Sequence, residues 1–300
     1  MRKAAAAESP QVAEAEPFHV QRLKPHEFEA FRRLAYDKFG LDLRDGKEEL
    51  VAARLGKRMR QGGFDSFEKY YEHVVGDRSG EALIGMIDAL ATNHTSFLRE
   101  AAHFEFLRQN VLPGLRERPR IELWSAACST GEEPYTLAFT LWDLWGETGF
   151  QKVRILATDI STKALATARH AVYPADRFSM VPPGWMRQFL LRGEGRWQGW
   201  YRVKPAVRSQ IEFARLNLVE PFVQQHVFPV IFCRNVMIYF DKATQEVLVN
   251  RLSACLEPGG YLFIGHAESL TGVRHDLAYV RPAVYRKPGP GAGLGLRWRT

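Results

Sequence analysis

Two carboxylates begin a predicted helix directly after a loop of small residues. The stretch "LWSAACSTGEEPYTLAF" runs from Leu123 to Phe139, and Glu132 and Glu133 follow the loop. A loop of this kind usually holds a phosphate, because its free amides and the helix dipole attract an anion. Acids also favour a first helical turn by about 0.3–1 kcal/mol each, which explains Glu132 on its own. For Glu133 the pattern favours a ligand with positive charge.

A third acid, Asp159, follows the next predicted strand. In Rossmann-like folds an acid at this place, ~20–30 residues after the loop, holds ribose hydroxyls. A dinucleotide would need the G-x-G-x-x-G pattern for its pyrophosphate, and this loop has only Gly131. We therefore predict an adenosine-type ligand that lacks phosphate and carries positive charge. S-adenosylmethionine, with a ribose, an ammonium and a sulfonium, fits this description.

The predicted elements bring these acids together. From residue 116 onward, apolar runs alternate with helical stretches, which predicts a parallel sheet covered by helices on both faces. The predicted strands are "RIELWSA", "VRILATDI", "IEFARLNL", "VFPVIFCRN" and "GYLFIGH", and helices are predicted from Glu132, Thr162 and Lys242. In such a sheet, ligands bind beyond the carboxyl ends of the strands. The residues expected there are 125–131, Asp159, Asn217, Arg234 and Asn235.

Residues 172–210 interrupt this alternation. Their Gly, Pro and Trp content, as in "GRWQGWYRVKP", predicts a small inserted β-subdomain rather than a crossover helix. Within it, Trp197, Trp200 and Tyr201 would form either a platform for a peptide or a small core of their own.

The chain before residue 92 has a different pattern. Residues 19–91 carry four amphipathic stretches and predict a small all-α domain. Asp65 and Glu68 predict a capping box before the third helix. Residues 92–115 would be a linker with a connecting helix, and residues 116–287 the α/β domain. Residues 1–18 and 288–300 predict a disordered leader and a disordered tail.

Composition limits the class of protein. There are 41 Lys and Arg against 34 Asp and Glu, and the resulting net charge of +7 favours an acidic partner without identifying it. Cys128, Cys233 and Cys255 are odd in number and lie in apolar segments, so we expect free thiols and a reducing compartment. No Cys and His spacing indicates zinc, and no stretch resembles a signal peptide or a membrane span. A cytoplasmic location without a metal is predicted.

Five strings in order resemble the chemotaxis receptor methyltransferases of the CheR family. They are "TNHTSFLRE", "WSAACSTGEEPYTLA", "ATDIS", "FCRNVMIYFD" and "GHAESL", and the likeness runs from about residue 20 to residue 287. The resemblance implies methyl transfer from S-adenosylmethionine to glutamate side chains of methyl-accepting chemotaxis proteins, which yields methyl esters and S-adenosylhomocysteine. It also implies a helical N-terminal domain and a Rossmann-like methyltransferase domain, whose inserted β-subdomain binds a receptor tail peptide in some members.

The resemblance also implies roles for individual residues. Glu133 matches the acid for the methionine part of the cofactor, and Asp159 matches the ribose acid. Tyr239 matches a tyrosine near the transferring methyl group. The other implied cofactor contacts are Asn93, Thr95, Arg99, Asn217, Leu218, Arg234 and Asn235.

The implied chemistry needs no general base. A glutamate with a pKa near ~4.3 is already ionised at neutral pH, so the enzyme has to align the reacting atoms and exclude water. Arg99 would hold the incoming carboxylate by a charge-assisted hydrogen bond, and Tyr239 would orient it through its hydroxyl. The alternative for Arg99 is a salt bridge with Glu100 or Glu105 on the same segment.

The second predicted helix offers a basic face to such a substrate. Helical spacing separates this face from Ala52, Leu55 and Met59, which point toward a core. The face consists of Lys47, Arg54, Lys57, Arg58 and Gln61. We predict that Arg54, Lys57 and Arg58 bind glutamate-rich receptor helices, although a solvated face is the ordinary explanation.

Two other functions are compatible with parts of the sequence. A nucleic-acid methyltransferase would use the basic charge, but "CRNVMIYF" stands where a Pro-Pro-aromatic signature is usual, and no RNA-binding string is visible. A receptor-binding scaffold without activity is the second alternative. Our prediction is a monomeric enzyme that acts on chemoreceptors, without nucleic-acid binding or membrane insertion.

Overall fold

Four helices form the first domain. The computed structural model describes residues 22–91, 95–222 and 227–289, so the predicted leader and the tail beyond residue 289 lie outside the described residues. Phe31, Leu55 and Met59 are fully buried in the common core of these helices. The helices are α1 (Pro25–Phe39), α2 (Glu48–Gly62), α3 (Phe67–Gly76) and α4 (Glu81–Leu90).

The start of α3 differs from the prediction. Ser66, and not Asp65, is the N-cap residue, and its side chain accepts a hydrogen bond from the backbone N–H of Lys69 at 3.3 Å. Asp65 instead accepts from the Lys69 ammonium at 2.7 Å. The capping box predicted for Asp65 and Glu68 is therefore wrong by one residue, because the chain becomes helical only after the extended Ser66.

The second domain is built on a seven-stranded sheet with the order β6-β2-β1-β7-β8-β10-β9. The first five strands in this order run parallel, which confirms the predicted fold class. They are β1 (Ile121–Ser125), β2 (Val153–Asp159), β6 (Ile211–Arg215), β7 (Phe228–Phe232) and β8 (Leu256–Phe263). The main helices are α6 (Glu132–Phe150), α7 (Thr162–His170) and α10 (Lys242–Ala254).

An antiparallel hairpin completes the sheet. Strand β10 (Val284–Arg286) pairs with β8, and β9 (Ala278–Arg281) pairs with β10 at the edge. The sequence pattern does not predict this hairpin. Its strands are short and every residue of β9 is exposed, so the apolar pattern that marks the central strands is absent there.

The predicted inserted subdomain forms its own antiparallel sheet with the order β3-β5-β4. The strands are β3 (Val172–Pro174), β4 (Leu190–Arg192) and β5 (Trp200–Val203), and the insertion also contains the short helices α8 (Pro183–Phe189) and α9 (Pro205–Arg208). Phe189 stacks on Phe139 of α6 with ring centroids 4.8 Å apart, so the subdomain shares the core of the larger domain.

The two domains are joined by residues 95–115, which contain α5 (Ala102–Phe106), a π turn (Leu107–Val111) and a 3-10 turn (Leu112–Leu115). Cys128, Cys233 and Cys255 are buried free thiols, as predicted. Within the described ranges, no helix has the length and apolar character needed to cross a membrane.

Candidate functional site

A cavity lies between the carboxyl ends of the parallel strands and the helical domain. Phe39, Leu41 and Ile87 form the wall on the helical side. Asn93 lies outside the described residues, but every other predicted cofactor residue lines this one cavity, and so does Tyr239. Those residues are Thr95, Arg99, Glu133, Asp159, Asn217, Leu218, Arg234 and Asn235.

Glu133 presents a buried carboxylate to the cavity from the first turn of α6. Its oxygens accept hydrogen bonds from the Ser125 hydroxyl at 2.7 Å and from the Arg234 guanidinium at 3.0 Å. Burial raises the pKa of Glu133, while Arg234 and Ser125 oppose that shift. A cationic ligand group beside this carboxylate would stabilise its ionised form.

Asp159 presents the second buried carboxylate, at the end of β2. One oxygen accepts from the backbone N–H of Ser129 at 2.8 Å, and the other accepts from that of Ser161 at 2.9 Å. Burial raises the pKa of this carboxyl group, and the two amides oppose the shift. A carboxylate has about four acceptor positions, more than these two amides occupy, and Asp159 lines the cavity.

Glu132 points away from the cavity. It is almost fully buried, and its carboxylate accepts from the Thr130 hydroxyl at 2.6 Å and from Arg177 at 3.3 Å. The neighbouring Gly131 has φ +99°, and a side chain there would come within 2.9 Å of Ala168 and of the Tyr173 hydroxyl. The two glutamates at the start of α6 therefore have separate roles, and only Glu133 faces the ligand site.

Arg234 connects two segments of the cavity wall. Besides Glu133, its guanidinium donates to the Glu100 carboxylate at 2.9 Å and to the Arg99 carbonyl at 2.6 Å. Asn235 donates to the other Glu100 oxygen at 3.1 Å. Although burial opposes ionisation of Glu100, the bond and charge of Arg234 hold its pKa at about 2. The adenosyl contact implied for Arg234 stays a prediction, since its described partners belong to the protein.

Two predicted residues join the cavity to the helical domain. Asn217 donates from its side-chain amide to the Lys38 carbonyl at 2.8 Å. The Tyr239 carbonyl accepts from the Asp42 backbone N–H, also at 2.8 Å. The helical domain is thus hydrogen-bonded to two loops that line the cavity.

Arg99 lies in a constrained segment of backbone. The residues on either side, Leu98 and Glu100, have φ +56° and +58°, in the left-handed region that residues other than glycine rarely adopt. Such conformations cost of order 1–3 kcal/mol each and persist where surrounding contacts enforce them. Here the contacts of Glu100 with Arg234 and Asn235 supply that constraint.

The basic residues of α2 differ in exposure. Lys57 and Arg58 are exposed, but Arg54 is half-buried and donates to the Leu90 carbonyl at the end of α4. The Arg58 guanidinium lies against Gly85 of α4, where a side chain would displace it. Arg54 therefore contributes less to an exposed basic face than the sequence predicts.

Glu100, His103 and His266 bring three possible metal ligands within 4.8 Å of one another. Sequence spacing gave no sign of this group, because His266 comes from a distant loop. His103 is buried, and within the described part of the chain neither ring nitrogen makes a hydrogen bond. Burial and the charge of Arg234 lower its pKa to about 3. The Glu100 carboxylate in this group already accepts from Arg234 and Asn235, so its charge is compensated by a protein cation.

The residues of the cavity fit S-adenosylmethionine. Asp159 would accept the ribose hydroxyls, Glu133 would lie beside the ammonium, and Phe39, Ile87 and Leu218 supply an apolar wall. The parallel sheet with this site at its carboxyl edge defines a Rossmann-like, S-adenosylmethionine-dependent methyltransferase.

Comparison with known families specifies the class further. A family model described as CheR methyltransferase, SAM binding domain, matches residues 93–285. A second, described as CheR methyltransferase, all-alpha domain, matches residues 26–91. The chain belongs to the CheR methyltransferase family.

Curated relatives agree with this assignment. The chain is 38% identical to a chemotaxis protein methyltransferase of Borreliella burgdorferi, over 85% of this chain and 92% of the relative. It is 38% identical to chemotaxis protein methyltransferase 2 of Pseudomonas aeruginosa, over 89% and 94%. It is 37% identical to a chemotaxis protein methyltransferase of Salmonella typhimurium, over 85% and 88%. The chain is therefore a methyltransferase of the chemotaxis type that uses S-adenosylmethionine.

Proposed function

We propose that this enzyme methylates glutamate side chains of methyl-accepting chemoreceptors and forms glutamyl methyl esters. The observation that carries the proposal is the buried Glu133 carboxylate, which faces a cavity shared by the sheet and the helical domain. An acid at that place suits a cationic methyl donor and disfavours a phosphate-containing ligand. The names of the curated relatives supply the chemotaxis context.

Each part of the cavity has a proposed task. Asp159 accepts the ribose hydroxyls, and Glu133 binds the ammonium of the methionine part. Thr95 and Leu218 contact the cofactor from the linker and from the loop after β6. S-adenosylmethionine, when bound, supplies an activated methyl group on sulfur.

The acceptor glutamate enters beside Arg99 and Tyr239. Both residues line the cavity. Arg99 precedes Glu100, whose carboxylate accepts from Asn235, and the Tyr239 carbonyl accepts from the Asp42 backbone N–H. Arg99 holds the incoming carboxylate by charge, and the Tyr239 hydroxyl orients it toward the methyl group. A carboxylate that is already ionised needs no base, so the residues act by alignment and by excluding water.

Transfer of labelled methyl groups tests the proposal directly. The chain is incubated with methyl-labelled cofactor and with separate acceptors: a chemoreceptor cytoplasmic fragment, the same fragment with its methylation-site glutamates changed to alanine, and RNA. We expect label on the first fragment alone, released by mild base as methanol. Label on RNA, label on the alanine fragment, or label that resists base would contradict the proposal.

Receptor recognition is proposed to use two further surfaces. Lys57 and Arg58 on α2 attract acidic receptor helices. On the inserted subdomain, Trp197 and Trp200 are 48% and 38% exposed with ring centroids 6.2 Å apart, which supports a platform for a receptor tail peptide. We also propose that the enzyme acts in the cytoplasm, where receptor methylation helices lie, and that it acts as a monomer.

A residue 172–210 fragment need not fold alone, so the peptide surface is tested in the full chain. Trp197→Ala with Trp200→Ala is expected to abolish binding of a receptor tail peptide, while Tyr279→Ala, an exposed aromatic on β9, leaves it unchanged. Equal binding by all three proteins would leave direct recognition of the methylation helices as the route.

A further inference from the structure

The string "GHAESL" has no assigned role in the proposed function, yet it forms a turn beside the cavity. The turn spans residues 265–268 and ends at Glu268, which is 9% exposed. It closes on itself, since the Glu268 backbone N–H donates to the Gly265 carbonyl at 2.9 Å. The Glu268 side chain also turns back and accepts from the Gly265 N–H at 2.5 Å.

The Glu268 carboxylate binds the loop that leads to Tyr239. The oxygen that accepts from Gly265 also accepts from the Asn235 backbone N–H at 3.0 Å. The other oxygen accepts from the Ile238 N–H at 3.2 Å. Ile238 lies in the 3-10 turn Met237–Tyr239, so one buried carboxylate holds both ends of the short segment from Asn235 to Tyr239.

The backbone of this segment needs such support. Asn235 has φ +58°, in the left-handed region. A side chain at Gly265 would come within 2.4 Å of the Asn235 side-chain amide and within 2.9 Å of its backbone nitrogen. The close approach of the turn to Asn235 therefore requires glycine at position 265.

The same turn also contacts the segment that carries Arg99. The His266 backbone N–H donates to the Glu100 carboxylate at 3.1 Å, and Asn235 donates to the other Glu100 oxygen. Glu100 adjoins Arg99 in the chain. Two carboxylates, the partly buried Glu100 and the buried Glu268, thus hold the segments that contain Arg99 and Tyr239 against one turn.

We propose that Glu268 is a positioning residue, which holds the Asn235–Tyr239 segment so that the Tyr239 hydroxyl is aligned with Arg99 for methyl transfer. The inference rests on the proposed function of Arg99 and Tyr239. Glu268 does not line the cavity itself, so its effect on the reaction passes through the backbone of the segment that it holds. Small displacements of aligned groups lower rates strongly, because transfer requires near-attack geometry.

Glu268→Gln tests the proposal with almost no change in shape. The amide nitrogen of glutamine cannot accept a hydrogen bond, so whichever oxygen it replaces, a bond to the backbone N–H of Asn235 or of Ile238 is lost. We expect turnover on receptor to fall roughly 10- to 100-fold, with a change in cofactor Kd of less than roughly 3-fold. Glu212→Gln, which removes an exposed carboxylate from β6, is the matched control and should change neither quantity.

Two outcomes would overturn the proposal: a folded Glu268→Gln protein with unchanged turnover, or equal losses of turnover and cofactor affinity, which would mean general disorder of the site. If the variant does not fold, hydrogen exchange in the unaltered protein decides. The backbone amides of Asn235 and Ile238 should exchange slowly although Ile238 is 45% exposed. Rapid exchange of these amides would show that Glu268 does not hold the segment. Failure of the proposed function would appear separately, as absence of receptor methylation by the unaltered enzyme.

Discussion

At the scale of single residues, Glu133 and Asp159 face the same cavity as buried carboxylates. Burial raises the pKa of each, because the ionised form loses hydration. Glu133 recovers part of this loss from Arg234, whereas Asp159 relies on two backbone amides. A cofactor that brings positive charge to one acid and hydroxyl groups to the other would stabilise the ionised form of both.

Asp159→Asn is expected to weaken cofactor binding by roughly 1.5–3 kcal/mol, the range for hydrogen bonds to a charged group. The asparagine amide group has one oxygen, so it cannot accept from both backbone amides and from ribose as well. Calorimetric titration with S-adenosylmethionine measures the change, and Asp176→Asn, an exposed acid in the inserted subdomain, is the control. Unchanged affinity in a folded variant would remove Asp159 from the cofactor site.

Arg99 tests the alignment step on its own. Arg99→Ala is expected to lower turnover by a larger factor than it weakens cofactor binding, because the side chain is proposed to hold the acceptor carboxylate during transfer. Single-turnover methylation rates are compared with cofactor Kd, with Arg116→Ala as an exposed control. Equal factors for both quantities would make Arg99 a cofactor ligand instead.

The sequence predicts which residues line the cavity better than it predicts the hydrogen bonds that hold those residues in place. Strand ends indicated residues such as Asp159, because the carboxyl ends of parallel strands always meet at one edge, whereas Tyr239 was indicated only by the family strings. The bonds of Glu100 with Arg234 and of Glu268 with Asn235 cross 134 and 33 residues of chain. No local pattern predicts such pairs, although Glu100 and Glu268 both lie within the quoted strings.

At the scale of elements, the inserted subdomain contacts both the loop after β1 and the linker. The Tyr173 hydroxyl donates to the Thr130 carbonyl in the cofactor loop at 2.6 Å. Arg177 donates to the Thr95 carbonyl in the linker at 2.9 Å. Phe178 stacks on Phe97 of the linker with centroids 4.5 Å apart. The subdomain therefore supports two segments next to the cavity, the loop after β1 and the linker.

Arg177→Ala is expected to weaken cofactor binding roughly 2- to 10-fold, the effect of losing one hydrogen bond that holds the linker. The side chain is 42% exposed, so its charge adds little, but the bond that it donates to the buried Glu132 carboxylate at 3.3 Å is lost as well. Arg192→Ala on β4, exposed in the same subdomain, is the control for charge, and affinity is measured by calorimetry. Identical affinities for the two variants would show that the linker holds its place without Arg177.

The sequence pattern was sufficient to predict some elements of the fold and not others. The parallel strands were predictable because most of their residues are apolar and the central strand β7 is buried throughout, as in "VFPVIFCRN". The β9–β10 hairpin was not, since exposed edge strands carry no such run. The N-cap of α3 was displaced by one residue, because Asp65 and Ser66 are both good caps and only the backbone conformation distinguishes them.

At the scale of the whole molecule, the net charge of +7 should govern how receptors are found. Lys57→Ala with Arg58→Ala is expected to slow receptor methylation several-fold at low salt and to flatten its salt dependence, with cofactor affinity unchanged. Arg54 is left in place because of its bond to Leu90. The control is Arg120→Ala with Lys152→Ala, which removes the same charge at the amino ends of β1 and β2. Parallel rate curves for both double variants would show that α2 is only solvated surface.

The buried acids of the cavity also bear on how a catalytic cycle ends. S-adenosylmethionine carries a sulfonium charge that S-adenosylhomocysteine has lost, but the ammonium proposed for Glu133 and the ribose hydroxyls proposed for Asp159 are present in both molecules. The contacts proposed for the two acids therefore do not distinguish the spent cofactor from the fresh one. We expect S-adenosylhomocysteine to compete with S-adenosylmethionine for the cavity, which calorimetric titration with each of them measures. The rate of receptor methylation would then depend on how quickly the spent cofactor is removed.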